Sequence, residues 1–486
     1  MSKSISLPIK KNDLPSMWWL STLGEISEKP QYGWTTKAKH EEGHLKLLRT
    51  TDITSGTVDW SKVPYCTEEP DDIKKYLIKS GDILISRAGS IGVSYLVNNP
   101  ERAVFASYLI RFRPKQSMDE KYVYYYLKSP DYWTAIGASK VGIAVPNVNA
   151  SKLSQVSIPI APPDQQKLIV AEIEKQFSRL DEAVAALKRI QANLKRYKAS
   201  VLKAAVEGKL TEEWRKQHPD VEHASELLKR ILSERRKKWE DDYIKKYVGA
   251  HGHAPKDNLW KKKYIEPAAL DTSNLPKLPK GWVWASLDQI LILLTDYHAN
   301  GSYKILKEHV KILDHDDYAI YVRSTNLENG NFEVDLKFVS EKAYNFLGKS
   351  KVFGKEIIIG KIGNAGKIYY MPVLNKRCTL GMNLFMLRFN EQLLSNYIFH
   401  HLKSGFSEKE IKEKIKGVGN PSIDKKEIRS LRVALPPLEE EKIITMEIES
   451  NLSLVDEIEK VILLNLKRAE RLCQSILKKA FSGKLV

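Results

Sequence analysis

APPDQQKLIVAEIEKQF, Ala161–Phe177, decides the fold of this chain. The pair Pro162-Pro163 forbids helix before it, and Asp164 is placed to cap a helix starting there. From there apolar residues recur at helical spacing: Ile169, Ile173, Phe177, Leu180, Val184, Leu187, Leu194, Tyr197, Val201 and Ala205. Gly208 closes the run as a C-terminal breaker would. A stripe kept over so many turns is the pattern of a coiled coil, ~65 Å long at 1.5 Å per residue. One helix cannot bury that stripe alone, so a partner helix is required.

The chain supplies one. After Pro436-Pro437 the stripe returns as Ile444, Ile448, Leu452, Val455, Ile462, Ala469, Leu472 and Ile476, ending at Gly483. Nearly everything before it returns as well. LPSMWWLSTLGEI at Leu14–Ile26 reappears as LPKGWVWASLDQI at Leu278–Ile290. RTTDITSG at Arg49–Gly56 reappears as RSTNLENG at Arg323–Gly330, and RAGSIG at Arg87–Gly92 as KIGNAG at Lys361–Gly366. The spacing runs from 264 residues (Leu14 against Leu278) to 275 (Pro146 against Pro421), so two homologous units of about 210 residues lie in tandem. The expected fold class is α+β: two tandem-repeat globular α/β domains separated by two long antiparallel coiled-coil helices, with pseudo-two-fold symmetry. The expected divisions are 1–163, first globular domain; 164–210, first helix; 211–277, a charged helical connector; 278–436, second globular domain; and 437–486, second helix. HASELLKRILSERRKKWEDDYIKKY at His223–Tyr247, with alternating charge signs, reads as a solvated helix.

The charge is +18 and the pI about 9.4, which favours a polyanionic partner. Cys66, Cys378 and Cys473 sit in no paired spacing, so neither a disulfide framework nor a Cys-x-x-Cys metal site is expected, and a reducing cytoplasm is. No signal-peptide pattern opens the chain, and no apolar run is long enough to cross a bilayer, so no membrane is expected. The aromatic stretches Tyr122–Ser129 and Tyr397–Ser404 read as core-packing helices.

Two variable globular units, each followed by a helix opened by Pro-Pro, resemble the specificity subunit of a Type I restriction–modification enzyme. LPKGWVWASLDQI, GDILISRAGSIG, APPDQQKLIVAEIEKQF and GKLTEEWRKQHPDVEHASELLKRIL carry the resemblance, which spans essentially the whole chain. It implies that the globular units are target-recognition domains, each reading one half of a split site in double-stranded DNA. It implies spacer helices that dock two methyltransferase (modification) subunits, restriction/motor subunits that complete the enzyme, and a chain that performs no chemistry itself. The second unit departs in detail, with EIIIGKIGNAG where the first has DILISRAGSIG.

Motifs for chemistry are missing, so no catalytic residue, metal or cofactor is expected. Ala161–Asp164 and Leu435–Leu438 mimic the Asp/Asn-Pro-Pro-Tyr/Phe loop of adenine methyltransferases, but lack the amide or carboxylate before the prolines and the aromatic after them. Gly360–Lys367 resembles a P-loop with the spacing one residue off, and Ile368 stands where Ser or Thr would hold magnesium. His400-His401 reads as part of a short helix.

DNA contact remains. Gly89-Ser90-Ile91-Gly92 and Gly363-Asn364-Ala365-Gly366 let backbone amides approach a phosphate, with Arg87, Lys361 and Lys367 beside them. Plain tight turns would read the same way. Arg49, Thr51 and Asp52, with Arg323, Thr325 and Asn326, offer side chains for base edges on a repeated strand-to-turn element, although Arg49 equally suits a core ion pair. Lys140, Asn147 and Asn149, with Lys416, Asn420 and Lys425, flank the loop before each long helix and could reach phosphate or base. The competing reading is a non-catalytic coiled-coil protein-interaction scaffold whose basic charge is incidental.

Overall fold

The computed structural model describes residues 14–41, 43–138, 148–255 and 257–486. The chain forms two compact units, one made of 1–190 with 460–486 and the other of 191–459. Both are α+β, and they share a two-stranded ribbon, an antiparallel four-stranded sheet and a second sheet with one parallel pair.

In each unit a two-stranded antiparallel ribbon ties the start of the globular part to its end. Trp19–Thr22 pairs with Ser157–Ile160 in one, and Val283–Ser286 with Arg432–Leu435 in the other. Each unit also holds an antiparallel four-stranded sheet. Its order is Gln31–Tyr32, Leu109–Phe112, Ile83–Ser86, Ser94–Leu96 in the first unit, and Leu291–Asp296, Leu384–Phe389, Ile357–Gly360, Ile368–Tyr370 in the second. The central strands are apolar on both faces, which is why ILIS and IIIG are buried throughout. A second four-stranded sheet carries one parallel pair, Lys46–Leu48 with Ala103–Phe105 and Ala319–Val322 with Cys378–Leu380.

The long helices run Pro163–Val206 and Leu438–Phe481, 44 residues each. Pro163 is itself the first helical residue, where its missing N–H costs nothing. In the first unit Ile169, Val170 and Ile173, from the start of one helix, share a core with Ile476, Leu477, Ala480 and Phe481 from the end of the other. In the second unit Val201 and Ala205, from an end, share a core with Ile444 and Ile448, from a start. Start meets end both times, so the helices are antiparallel. Tyr197 donates to Asn451 at 2.7 Å, and Lys198 bonds Asp456 and Glu459 at 2.8 and 3.0 Å. Gly208 and Gly483 close the helices with φ near +68°. A Cβ on Gly208 would lie 2.6 Å from Pro279, and one on Gly483 2.2 Å from Pro15, so close packing and backbone conformation both demand glycine.

The helix starts carry buried polar groups that differ between units. The Trp18 indole donates to Gln165 at 2.9 Å, whereas Trp282 donates to Glu440, which also accepts from Thr211 and pairs with Arg215. At the next residue, Gln166 accepts from the Asp119 amide at 3.0 Å and donates to the Ala161 carbonyl at 2.8 Å. Its counterpart Glu441 accepts from the Leu394 amide at 2.7 Å, and its other oxygen is buried with no hydrogen-bond partner.

Tyr122 and Tyr126 are buried, bond the carbonyls of Pro159 and Ser157, and set their rings edge-on to Phe481. These aromatics pack the core. His400 and His401 lie on the helix Ser395–Leu402, and burial pushes their pKa down to about 4 and about 3. The expectation of a solvated connector needs correction. Its helix, Ala224–His251, buries Ala224, Leu227, Leu228 and Ile231 in the second unit's core. Those four follow the helical period and form an apolar stripe, while Glu226, Lys229 and Arg230 between them stay exposed.

Candidate nucleic-acid interface

The glycine turns are hairpins joining Ile83–Ser86 to Ser94–Leu96 and Ile357–Gly360 to Ile368–Tyr370. Their backbones share two turn-closing bonds. The Gly92 amide donates to Ser86 and the Gly366 amide to Gly360, both at 2.9 Å. Val93 donates to Ser90 at 3.2 Å, and Lys367 to Asn364 at 3.1 Å. Gly89 and Gly363 take φ of +75° and +76°, and a Cβ on either would meet nothing within 4 Å. The tips are therefore open to an approaching group. A hairpin with no helix behind it also rules out a P-loop at Gly360–Lys367.

A short link between strands gathers the other elements. The Ala106 amide bonds the Leu48 carbonyl, next to Arg49, and the Arg87 amide bonds the Tyr108 carbonyl, both at 2.9 Å. In the second unit Gly381 bonds Val322, next to Arg323, and Lys361 bonds Asn383, both at 2.8 Å. Arg49 and Arg87 thus flank 106–108, as Arg323 and Lys361 flank 381–383. Exposed Tyr108 and Asn383 (φ +62°) sit between them; neither was legible as a site residue.

The strand-to-turn reading of Arg49 and Arg323 is corrected: each is the N-cap of a short helix, Thr50–Ile53 or Ser324–Asn329. Asp52 accepts from the Arg49 amide at 2.8 Å and grips its guanidinium at 2.9 and 3.0 Å. Asn326 is buried and accepts from the Arg323 amide, while Arg323 pairs with Asp335 at 3.1 Å. Asp52 and Asn326 act locally as caps. Thr51 and Thr325 are exposed on the same helices.

Lys361 and Lys425 meet on one buried carboxylate. Asp296 accepts from Lys361 at 2.7 Å and from Lys425 at 2.9 Å. Burial pushes that carboxyl's pKa up, but the two ammonium groups outweigh it and hold the group below its ordinary value. Arg87 lies over the Tyr32 ring at 5.1 Å, and the Tyr32 hydroxyl accepts from the Ala150 amide at 2.9 Å. Lys367 pairs with Glu328. Ser90 and Asn364 are half-buried in their turns, and exposed Asn149 caps the helix Ala150–Ser154 by accepting from Lys152. Asn420 is exposed on a loop whose Pro421 carbonyl accepts from the Gly363 amide at 3.0 Å. Lys140 and Asn147 lie outside the described residues. Other arginines are committed to the frame: Arg113 to buried Asp82, and Arg388 to buried Glu356. Among the described residues no His, Cys, Asp and Glu side chains group to hold a metal ion, and no helix is long and apolar enough to cross a membrane.

Each α+β unit thus sets a hairpin turn with a basic first residue beside an arginine-capped helix start. A family model described as the type I restriction modification DNA specificity domain matches residues 15–196 and 279–468. The chain belongs to that family, and its role is that of a DNA sequence-specificity subunit. The EcoKI specificity subunit of Escherichia coli strain K12 is 24% identical over 489 residues, covering 97% of this chain and 90% of that protein. The putative MjaX specificity subunit of Methanocaldococcus jannaschii is 22% identical over 476 residues, covering 94% and 90%. The HsdS subunit from Thermoanaerobacter tengcongensis shares the fold with a TM-score of 0.52 at 17% identity, over 98% of this chain and 99% of that one. A chain solved in work on assembly of the type I R-M system reaches 0.61 at 17% identity, over 98% and 100%.

Proposed function

We propose that each globular part, 1–163 and 278–436, is a target-recognition domain gripping one half of a bipartite DNA site. The repeated arrangement of a cationic hairpin turn beside an arginine-capped helix start is the observation that carries this reading. Backbone amides and the turn cation meet phosphates and set register; Thr51, Thr325, Tyr108 and Asn383 reach base edges. The helices 164–210 and 437–486 act as a ruler, separating the half-sites by on the order of 10 base pairs. The segment 211–277 connects the two repeats.

The chain itself performs no chemistry. Two methyltransferase subunits dock on the helices and flip an adenine in each half-site, and restriction/motor subunits complete the enzyme in the cytoplasm. Support comes from Leu454, Ile458, Val461, Leu463, Leu464 and Leu472 on one helix, all more than a third exposed. Apolar side chains that the chain leaves in water suit a protein partner. Exchanging 279–436 for the same segment of a relative tests the assignment. One half of the methylated sequence changes and the other stays; a change in both halves overturns it.

A further inference from the structure

The two units differ in how the chain crosses from the antiparallel sheet to the parallel pair. The first crosses in 33–45, from Gln31–Tyr32 to Lys46–Leu48, and the second in 297–318, from Leu291–Asp296 to Ala319–Val322. The longer crossing folds into a 3-10 turn, Tyr297–Asn300, and a helix, Tyr303–His309. Among the described residues the shorter one holds the two-residue strand Ala38–Lys39 and no helix. One side of the extra helix is anchored. Leu306 and Val310, a turn apart, are buried with Tyr297, Tyr321 and Leu347, and His309 stacks on Phe346 at 4.5 Å. Its root reaches the candidate interface. Tyr297 follows Asp296, the carboxylate that holds Lys361, and sets its ring edge-on to Tyr321 at 5.8 Å. The Tyr321 hydroxyl accepts at 2.8 Å from the amide of Met382, inside the link between Arg323 and Lys361. Asn300 pins the turn, donating to Ser350 and accepting from the Lys349 amide, both at 2.9 Å.

The side left in water is cationic. Tyr303, Lys304 and Lys307 fall within about 100° of one flank by the helical period, and all three are exposed, Tyr303 by 69%. Lys311 follows just past the helix end. Acids later in the crossing are drawn to lysines elsewhere in the fold, Asp314 to Lys337 and Asp316 to Lys376. Among the described residues Lys304, Lys307 and Lys311 meet no carboxylate, and Glu308 is the lone acid within 303–311. A phenolic hydroxyl among unpaired ammonium groups suits the acceptor oxygens of a phosphate backbone. We propose that this helix is a second duplex contact belonging to the second unit alone, with Tyr303, Lys304 and Lys307 bonding phosphates beside the half-site read at the Arg323–Lys361 link. The inference rests on each globular part being a DNA-gripping domain. Phosphates carry no sequence information, so the helix adds affinity and register without altering which bases are read. The two half-sites are therefore held unequally, the second by more phosphates than the first.

The test uses the full chain co-purified with its modification subunits and a duplex carrying the site mapped by methylation, the half read by 279–436 being assigned by segment exchange. Lys304→Gln with Lys307→Gln removes two charges from exposed positions and leaves the unfolding temperature in place. The slope of log affinity against log salt becomes shallower by about 1.8, so affinity falls about 10-fold less between 50 and 200 mM salt. Hydroxyl-radical protection is lost from the backbone beside the second half-site alone, and the methylated sequence stays the same. Lys304→Arg with Lys307→Arg keeps the charge, the slope and the protection. An unmoved slope and footprint in the glutamine variant overturns the inference, as does a changed methylated sequence. Loss of the modification subunits with the slope intact makes the flank a protein contact and overturns it too. A wild-type complex with no preference for the mapped site sinks the DNA reading and the inference together; wild-type preference with an unmoved variant sinks the inference alone.

Discussion

Replacing Glu441 by glutamine should stabilise the second unit, and more so as pH rises. Gln166, at the matching place, uses an oxygen to accept from a backbone amide and a nitrogen to donate to a backbone carbonyl. Glu441 reproduces the first bond only, and its second oxygen is buried and unpaired unless it carries a proton. Burial accordingly raises its pKa from 4.5 to about 8. Proton linkage sets the sign: the folded unit keeps a proton that the unfolded chain releases. The carboxyl costs nothing below its unfolded pKa, and its cost then grows by about 1.4 kcal/mol per pH unit until the folded pKa is passed. At neutral pH that is on the order of 3 kcal/mol. Glu441→Gln supplies the donor without titrating. Thermal unfolding of both proteins at about pH 5 and about pH 8 reads the effect, and the variant's advantage must widen at the higher pH. A constant advantage, or a variant less stable in alkali, refutes the reasoning.

Two further perturbations address binding. Lys361→Glu reverses the turn cation against Asp296 and should weaken binding to every sequence and flatten its salt dependence, read by fluorescence anisotropy across a salt series. Retained affinity with an unaltered slope would remove the turn from the interface. Leu454→Lys with Ile458→Lys should abolish co-purification of modification subunits while leaving the unfolding temperature within a few degrees, since both residues are exposed. Continued co-purification would move docking elsewhere.

The long helices were readable because proline, glycine and an apolar period act locally, and the backbone preferences of Pro163 and Gly208 place them at the termini. The glycine turns were readable because both copies keep a basic residue and two glycines at one spacing. Asp52 and Asn326 showed the right chemistry for base edges, but a helix start uses such side chains first for its own amides. The apolar stripe at Ala224, Leu227, Leu228 and Ile231 was masked by the charges between its members.

Sequencing methylated adenines across a genome on which the complete complex has acted tests the central claim most directly. The proposed arrangement of one reader per half-site predicts two short specified blocks, one modified adenine in each, parted by a gap of fixed length and free composition. A single uninterrupted recognition sequence, or blocks whose separation varies from site to site, would contradict that geometry.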